Sequence, residues 1–210
     1  MELKNRGWSV GLLPVGIPLQ KMLKIIEKEK PSAIFNLCEA FNGDPSLEGS
    51  VASLWELLGI PYTGSRPKTL ILSQDKIKSK ILAKNAGILT PEYEVVHDVP
   101  TKTRIPFPVV VKPPFEDGSI GISSKSFARN LPELKKAVGE VLSVFGGVAM
   151  IERYIEGREF NIAAFGREKV RILPPAEIDF SSLAKGKPRM ATYEAKWNSE
   201  SDLYLSTPSV

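Results

Sequence analysis

PVVVKPPFEDGSIGIS, from Pro108 to Ser123, places one lysine at the end of an apolar run and directly before a loop of small residues. Val109, Val110 and Val111 are a β-branched run that predicts a strand buried on both faces, and Pro113 with Pro114 stops it. Lys112 is then a charge fixed at a strand end. Asp117, Gly118, Ser119 and Gly121 follow in a loop whose backbone can approach a ligand closely and offer amide donors of the kind that hold phosphate oxygens. By itself a lysine so placed is an ordinary solvated charge, and its meaning depends on the rest of the chain.

The chain has 210 residues, 42% hydrophobic and 25% charged, enough to bury the core of one large domain or two small ones. Lys and Arg number 28 against 24 Asp and Glu, for a net charge of +4. Apart from the helix-like KMLKIIEKEK from Lys21 to Lys30, the basic residues are scattered, which favours anionic ligands in general and gives no nucleic-acid patch. Cys38 is the only cysteine, so no intramolecular disulfide forms, and the single histidine, His97, leaves no Cys/His metal cluster. No signal peptide is visible at Met1, and the longest apolar run, Val144 to Ile151, is too short to span a bilayer. A cytoplasmic protein without a membrane partner is expected.

Upstream of the lysine, Gly7 has the look of a helix C-cap, and Trp8 to Leu13, Ala33 to Cys38 and Ile60 to Thr63 read as strands. Between them, Leu19, Met22, Leu23 and Ile26 mark an amphipathic helix that begins at Pro18 and stops at Pro31. Val51, Leu54, Trp55 and Leu58 mark a second helix, closed by Gly59. The alternation predicts a parallel α/β sheet. After Arg66 and Pro67, SQDKIKSKILAKNA (Ser73 to Ala86) reads as one basic helix with Ile77 and Ile81 inward and Lys78, Lys80 and Lys84 on a solvated face.

Glu92 to Val96 reads as a strand, and Ile122 to Phe127 is expected to pair back onto the Lys112 strand. Asn130 with Glu133 forms a capping-box pattern, opening a helix that turns Leu134, Val138, Val141, Leu142 and Phe145 inward. From Met150 to Gly166, a strand ending near Glu152 is expected to turn at Glu156 and Gly157 into a strand from Glu159, so that two carboxylates flank one hairpin. Lys169 to Ile178 is a strand interrupted by Pro174 and Pro175, Ser181 to Arg189 is a loop, and the last segment carries Lys196 beside Trp197.

Taken in order, LEGSVASLWELLGIPYTGS (Leu47 to Ser65), SQDK (Ser73 to Lys76), VVVKPPFEDGSIGIS (Val109 to Ser123), IERYIEGREF (Ile151 to Phe160) and YEAKW (Tyr193 to Trp197) resemble the ATP-grasp superfamily and, within it, the D-alanine:D-alanine ligase branch. The likeness covers nearly the whole chain, and its specificity lies in the order and spacing of the motifs. The patterns GxxxxGK[ST] and GxGxxG are absent. The resemblance implies an α/β fold: a partial N-terminal parallel α/β domain at 1–66, a central ATP-grasp subdomain at 67–152, and the start of a C-terminal ATP-grasp subdomain at 153–210. An ATP-grasp comprises two α+β subdomains, and here its C-terminal part is expected to be incomplete.

What the resemblance implies for the site is specific. Lys76 and Lys112 would neutralise the phosphates of ATP, and the loop from Glu116 through Gly118 to Gly121 would be a flexible flap over them, with Ser119 on the substrate side. Glu152 would lie near the adenine amino group, Tyr154 and Ile155 would seat the purine, Glu159 would bind the ribose, and Lys196 would reach the nucleotide from a mobile loop. The implied reaction passes the γ-phosphoryl group to a carboxylate, and an amine then attacks the acyl phosphate, with Mg²⁺ clamping the transferring group. ATP and an amino acid are the implied small-molecule partners, a homodimer is possible, and the branch serves peptidoglycan and cell-wall synthesis.

Trp197 stands where the ligases usually have a tyrosine bonded to the serine of the flap. An indole donates only through its ring nitrogen, so this polar link is not expected here. The family's first strand and glycine-rich loop would precede Met1, and its catalytic arginine and Asp, Glu and Asn magnesium ligands would follow Val210. A ligase fragment, a nucleotide-binding pseudoenzyme or a relative with another acceptor, and a non-catalytic α/β interaction module are the readings this leaves.

Overall fold

In the computed structural model, which describes residues 2–166, 168–184 and 186–210, the chain divides into two units, Met1–Ser79 and Lys80–Val210. The first holds α1 (Glu2–Asn5), α2 (Leu19–Glu29), α3 (Glu48–Leu57) and α4 (Pro67–Gln74), and α5 (Lys76–Asn85) runs across the boundary. The apolar spacing of α2 does what it predicts: Met22 and Ile26 pack with Val51 and Trp55 of α3. Helices α3 and α4 meet closely because residue 49 is glycine. A Cβ there would stand 2.5 Å from Cγ1 of Ile71 and 3.2 Å from the carbonyl oxygen of Pro67.

The strands expected in this unit do not form. Ala33 to Cys38 and Ile60 to Thr63 are reduced to a parallel bridge between Ile34 and Tyr62, in which the Thr63 N–H donates to the Ile34 carbonyl at 3.0 Å. Trp8 to Leu13 enters no ladder among the described residues. Apolar alternation makes a strand only where a neighbour supplies the second row of donors and acceptors. The single helix expected from Ser73 to Ala86 is also broken. Asp75 is extended (φ −87°, ψ 94°), and its Oδ1 accepts from the Lys78 N–H at 2.9 Å, so it ends α4 and caps α5.

The second unit contains β1 (Tyr93–Val96), β2 (Val109–Lys112), β3 (Phe127–Ala128), α6 (Leu131–Val144), β4 (Ala149–Arg153), β5 (Glu159–Asn161), β6 (Ala164–Phe165), β7 (Arg171–Ile172), β8 (Ala176–Ile178), α7 (Tyr193–Trp197) and α8 (Asp202–Leu205). Four strands form one antiparallel sheet in the order β1-β4-β2-β3. One face of it, Val109, Val111, Ala128, Ala149 and Ile151, is sealed by Leu134, Ala137, Val138 and Val141 of α6. Each large side chain buried there is worth roughly 1.5–3 kcal/mol relative to exposure. The helix starts where its capping pattern says, with Asn130 Oδ1 accepting from the Glu133 N–H at 3.0 Å.

Cross-strand partners share a face, and Tyr93, Glu152 and Val110 stand in register, as do Val110 and Phe127 and also Lys112 and Met150. These six residues form the face opposite α6. The return from Gly121 pairs only at Phe127 and Ala128, because Ser124–Ser126 is a 3-10 turn boxed by Ser123 and Ser126. The hairpin expected between Glu152 and Glu159 is absent. Strand β5 pairs with β8, setting Glu159 opposite Ile178, and β6 pairs with β7. The chain therefore leaves the large sheet after Tyr154, whose N–H donates to the Pro108 carbonyl at 3.1 Å, and enters a separate ladder.

Candidate functional site

Period-two alternation along β4 turns Ile151 toward α6 and Glu152 toward the other face, where it is buried at 7% exposure. A buried carboxylate needs partners, and it has two. Its Oε1 accepts from the Lys80 ammonium at 2.5 Å, and its Oε2 accepts from the Lys112 ammonium. Burial, the largest single influence, pushes the Glu152 carboxyl up, but the Lys112 and Lys80 ammoniums together outweigh it and hold the group below the usual carboxylate range. Glu152 is therefore ionised at neutral pH and can only accept hydrogen bonds.

The two lysines are not equivalent. The side chain of Lys112 is 27% exposed, whereas that of Lys80 is 10% exposed. Lys80 also lies over the ring of Tyr93, 5.2 Å from its centroid. Its expected place on a solvated face is thus corrected: α5 turns Lys80 inward, to a carboxylate 72 residues away in sequence. Lys76 opens the same helix, half-buried, and belongs to the Met1–Ser79 unit.

Beyond Lys112, the buried prolines Pro113 and Pro114 lead into the loop. Glu116 is half-buried, Gly118 and Ser119 take left-handed φ angles of 58° and 65°, and the Ile120 N–H closes a turn on the Asp117 carbonyl at 2.9 Å. The loop is clasped from the C-terminal side. Ser119 Oγ donates to the Ala191 carbonyl at 3.0 Å, and the Tyr193 N–H donates to the Ile122 carbonyl at 3.0 Å. Trp197 Nε1 donates to the Gly118 carbonyl at 2.8 Å. The indole thus reaches the loop at a backbone carbonyl rather than at the Ser119 hydroxyl: a lone N–H donor cannot serve both as donor and acceptor to a hydroxyl, but it suits a carbonyl.

The Ala191 peptide also reaches the remaining carboxylate, since its N–H donates to Glu159 Oε2 at 3.1 Å. Ser119, Glu159, Trp197 and the loop are thus joined through one short segment. Lys196 lies exposed on α7, and Ile155 is 58% exposed just past β4. Tyr154 packs edge-on to Phe127 with ring centroids 4.9 Å apart, and its hydroxyl accepts from the Arg189 N–H at 2.9 Å. These rings, with Pro108, Arg129, Phe180 and Arg189, border an open groove of about 610 Å³ that Lys112 and Glu152 do not line.

A nucleotide suits this donor set, because a phosphate chain asks for ammonium groups, glycine-loop amides and an aromatic seat. A metal does not. Among the described residues no three His, Cys, Asp or Glu side chains stand together, so they form no cage of protein ligands for a metal ion. No helix among the described residues is long and apolar enough to cross a membrane.

Comparison with known proteins gives this geometry its relatives. The family described as "D-ala D-ala ligase C-terminus" matches residues 82–209. The chain is 34% identical over 165 residues to an uncharacterized protein, y4sG, of Sinorhizobium fredii, covering 78% of this chain and 47% of that protein. It is 28% identical over 214 residues to a D-alanine--D-alanine ligase of Desulforudis audaxviator, covering 99% of this chain and 65% of that enzyme. A solved D-alanine--D-alanine ligase of Bacillus anthracis, complexed with ATP, superposes with a TM-score of 0.61 at 23% identity, over 90% of this chain and 55% of that one. VanG D-Ala:D-Ser ligase from Enterococcus faecalis superposes at 0.54 and 24% identity, over 64% and 40%. The chain spans about half to two thirds of the length of these curated relatives. Over that length its fold is the ATP-grasp fold of the ligases.

Proposed function

The chain belongs to the D-alanine–D-alanine ligase family, and we propose that it supplies the nucleotide-binding part of an ATP-dependent carboxylate–amine ligase. The observation that carries this reading is Glu152, buried on the sheet face opposite α6 with an ammonium on each oxygen, beside a glycine loop clasped by Ser119 and Trp197. ATP would pass its γ-phosphoryl group to a substrate carboxylate, leaving ADP and an acyl phosphate, and an amine attacking the acyl carbon would then expel inorganic phosphate to leave an amide.

The residues of this chain hold and orient. Lys112 is the exposed member of the charge cluster and can turn from Glu152 to a phosphate oxygen, exchanging one anion for another at little electrostatic cost. Lys76 and Lys196 add positive charge to the same phosphates, and the loop amides from Glu116 through Gly118 exclude water from them. Ser119 faces the acceptor side. Glu152 accepts from the adenine amino group, Tyr154 and Ile155 seat the ring, and Glu159 receives the ribose hydroxyls in place of the Ala191 N–H. In this reading the subdomains are 67–152 and 153–210, the acceptor is D-alanine or another amino acid in a cytoplasmic wall-building pathway, and Mg²⁺ would clamp the transferring group.

Calorimetric titration of the chain with ATP tests it. Binding should weaken about tenfold or more in Lys112→Ala and in Glu159→Ala, the usual effect of losing a charge-assisted contact. Affinity unchanged in both variants contradicts the proposal.

A further inference from the structure

Resting on that reading, the geometry assigns to Lys80 a role of its own: it is the positioning residue that keeps Glu152 an oriented, acceptor-only carboxylate when the nucleotide draws Lys112 away, and so sets the preference for a 6-amino over a 6-oxo purine. Three observations converge on it. The two ammoniums divide the carboxylate, Lys80 on Oε1 and Lys112 on Oε2. The side chain of Lys80 is 10% exposed, and it is pinned between Glu152 and the Tyr93 ring, with the centroid at 5.2 Å, so it has nowhere else to go. Lys112, at 27%, has.

When Lys112 turns to the phosphates, Oε2 is released toward the ligand while Oε1 stays fixed. Were Lys80 absent, this step would leave a buried carboxylate with no counter-charge, and such a group takes up a proton. A protonated Glu152 donates as well as accepts, so it would tolerate an oxygen at the purine 6-position where the ionised form repels it. Among the described residues, the titratable groups that the sheet register and the ion pairs set against Glu152 are Lys112 from β2, Lys80 from α5 and Tyr93 from β1, and of these Lys80 and Lys112 bring positive charge.

The test is the ratio of ATP to inosine triphosphate affinity, measured calorimetrically from about pH 6 to pH 9 on the full chain and its Lys80→Arg and Lys80→Met variants. The wild type and Lys80→Arg should favour ATP by the same ratio at every pH. In Lys80→Met the ratio should fall by about tenfold or more at the acid end, the worth of one charge-assisted hydrogen bond, and recover as the pH rises. A ratio in Lys80→Met equal to that of the wild type at every pH overturns the assignment, however much the two affinities drop together. A wild type that binds neither nucleotide overturns instead the nucleotide reading beneath it. Should Lys80→Met not fold, the titration of the Glu152 carboxyl in Lys112→Ala, followed by carbon NMR, decides. A value still below that of an ordinary glutamate upholds Lys80 as sufficient counter-charge, and a raised value overturns it.

Discussion

Glu152 and Trp197 are the residues at which the smallest changes have the most to say. In Glu152→Gln the neutral amide leaves the Lys80 ammonium buried against Tyr93 without an anion. Breaking a buried pair from one side costs about 3–5 kcal/mol, so urea unfolding of this variant should show a loss of that order. Trp197→Phe keeps an aromatic ring, smaller than the indole, but removes the donor to the Gly118 carbonyl. Its stability should fall by only about 1 kcal/mol, while amide exchange from Glu116 to Gly121 should quicken. Exchange there unchanged would mean that the indole bond does not hold the loop. Lys112 was legible in the sequence because three β-branched residues and two prolines bracket it. Lys80 was not, because nothing local separates it from the solvated lysines Lys78 and Lys84, and the carboxylate that draws it inward is distant in the chain.

Among the elements, those whose signals are local were legible: the Asn130 cap and the apolar stripe of α6, Met22 and Ile26 of the α2 stripe though not the exposed Leu19, and the valine strand. Those that need a partner were not. Ala33 to Cys38 has strand composition yet forms only a bridge, and Glu159 begins a strand whose partner is Ile178 rather than Glu152. The end of the loop shows how packing, not propensity, selects a residue. Gly121 has φ +74°, and a Cβ on it would stand 2.8 Å from the Phe145 ring and 2.9 Å from Pro113 Cγ. Gly147 has a similar φ of +77° with nothing within 4 Å. Gly147→Ala should therefore cost about 1 kcal/mol, the conformational penalty alone, and Gly121→Ala a further 1–3 kcal/mol or so from overpacking. Equal melting temperatures for the two variants would show that α6 yields to the loop.

At the scale of the whole molecule, the charge cluster links stability to pH. The Glu152 pKa is depressed on folding, so its contribution is fully present above the unfolded value near 4.3 and is lost as pH falls through the lower folded value. Stability should decline steeply below about pH 4.5, and less steeply in Glu152→Gln. An equal decline would place the effect on other depressed carboxylates, such as Glu94 beside Arg104. The fold as a whole was legible because five motifs stand in one order, and what escaped was the distribution of strands, which depends on neighbours the motifs do not encode. The central claim, that the face of the large sheet turned away from α6 receives the nucleotide, is tested most directly by mapping amide NMR shifts on addition of ATP. Tyr93, Val110, Lys112, Gly118 to Gly121, Ile151 to Ile155 and Ala191 should move together in a saturable way. Shifts confined to the α6 side, at Leu134, Val138 and Val141, or no saturable shifts at all, would contradict it.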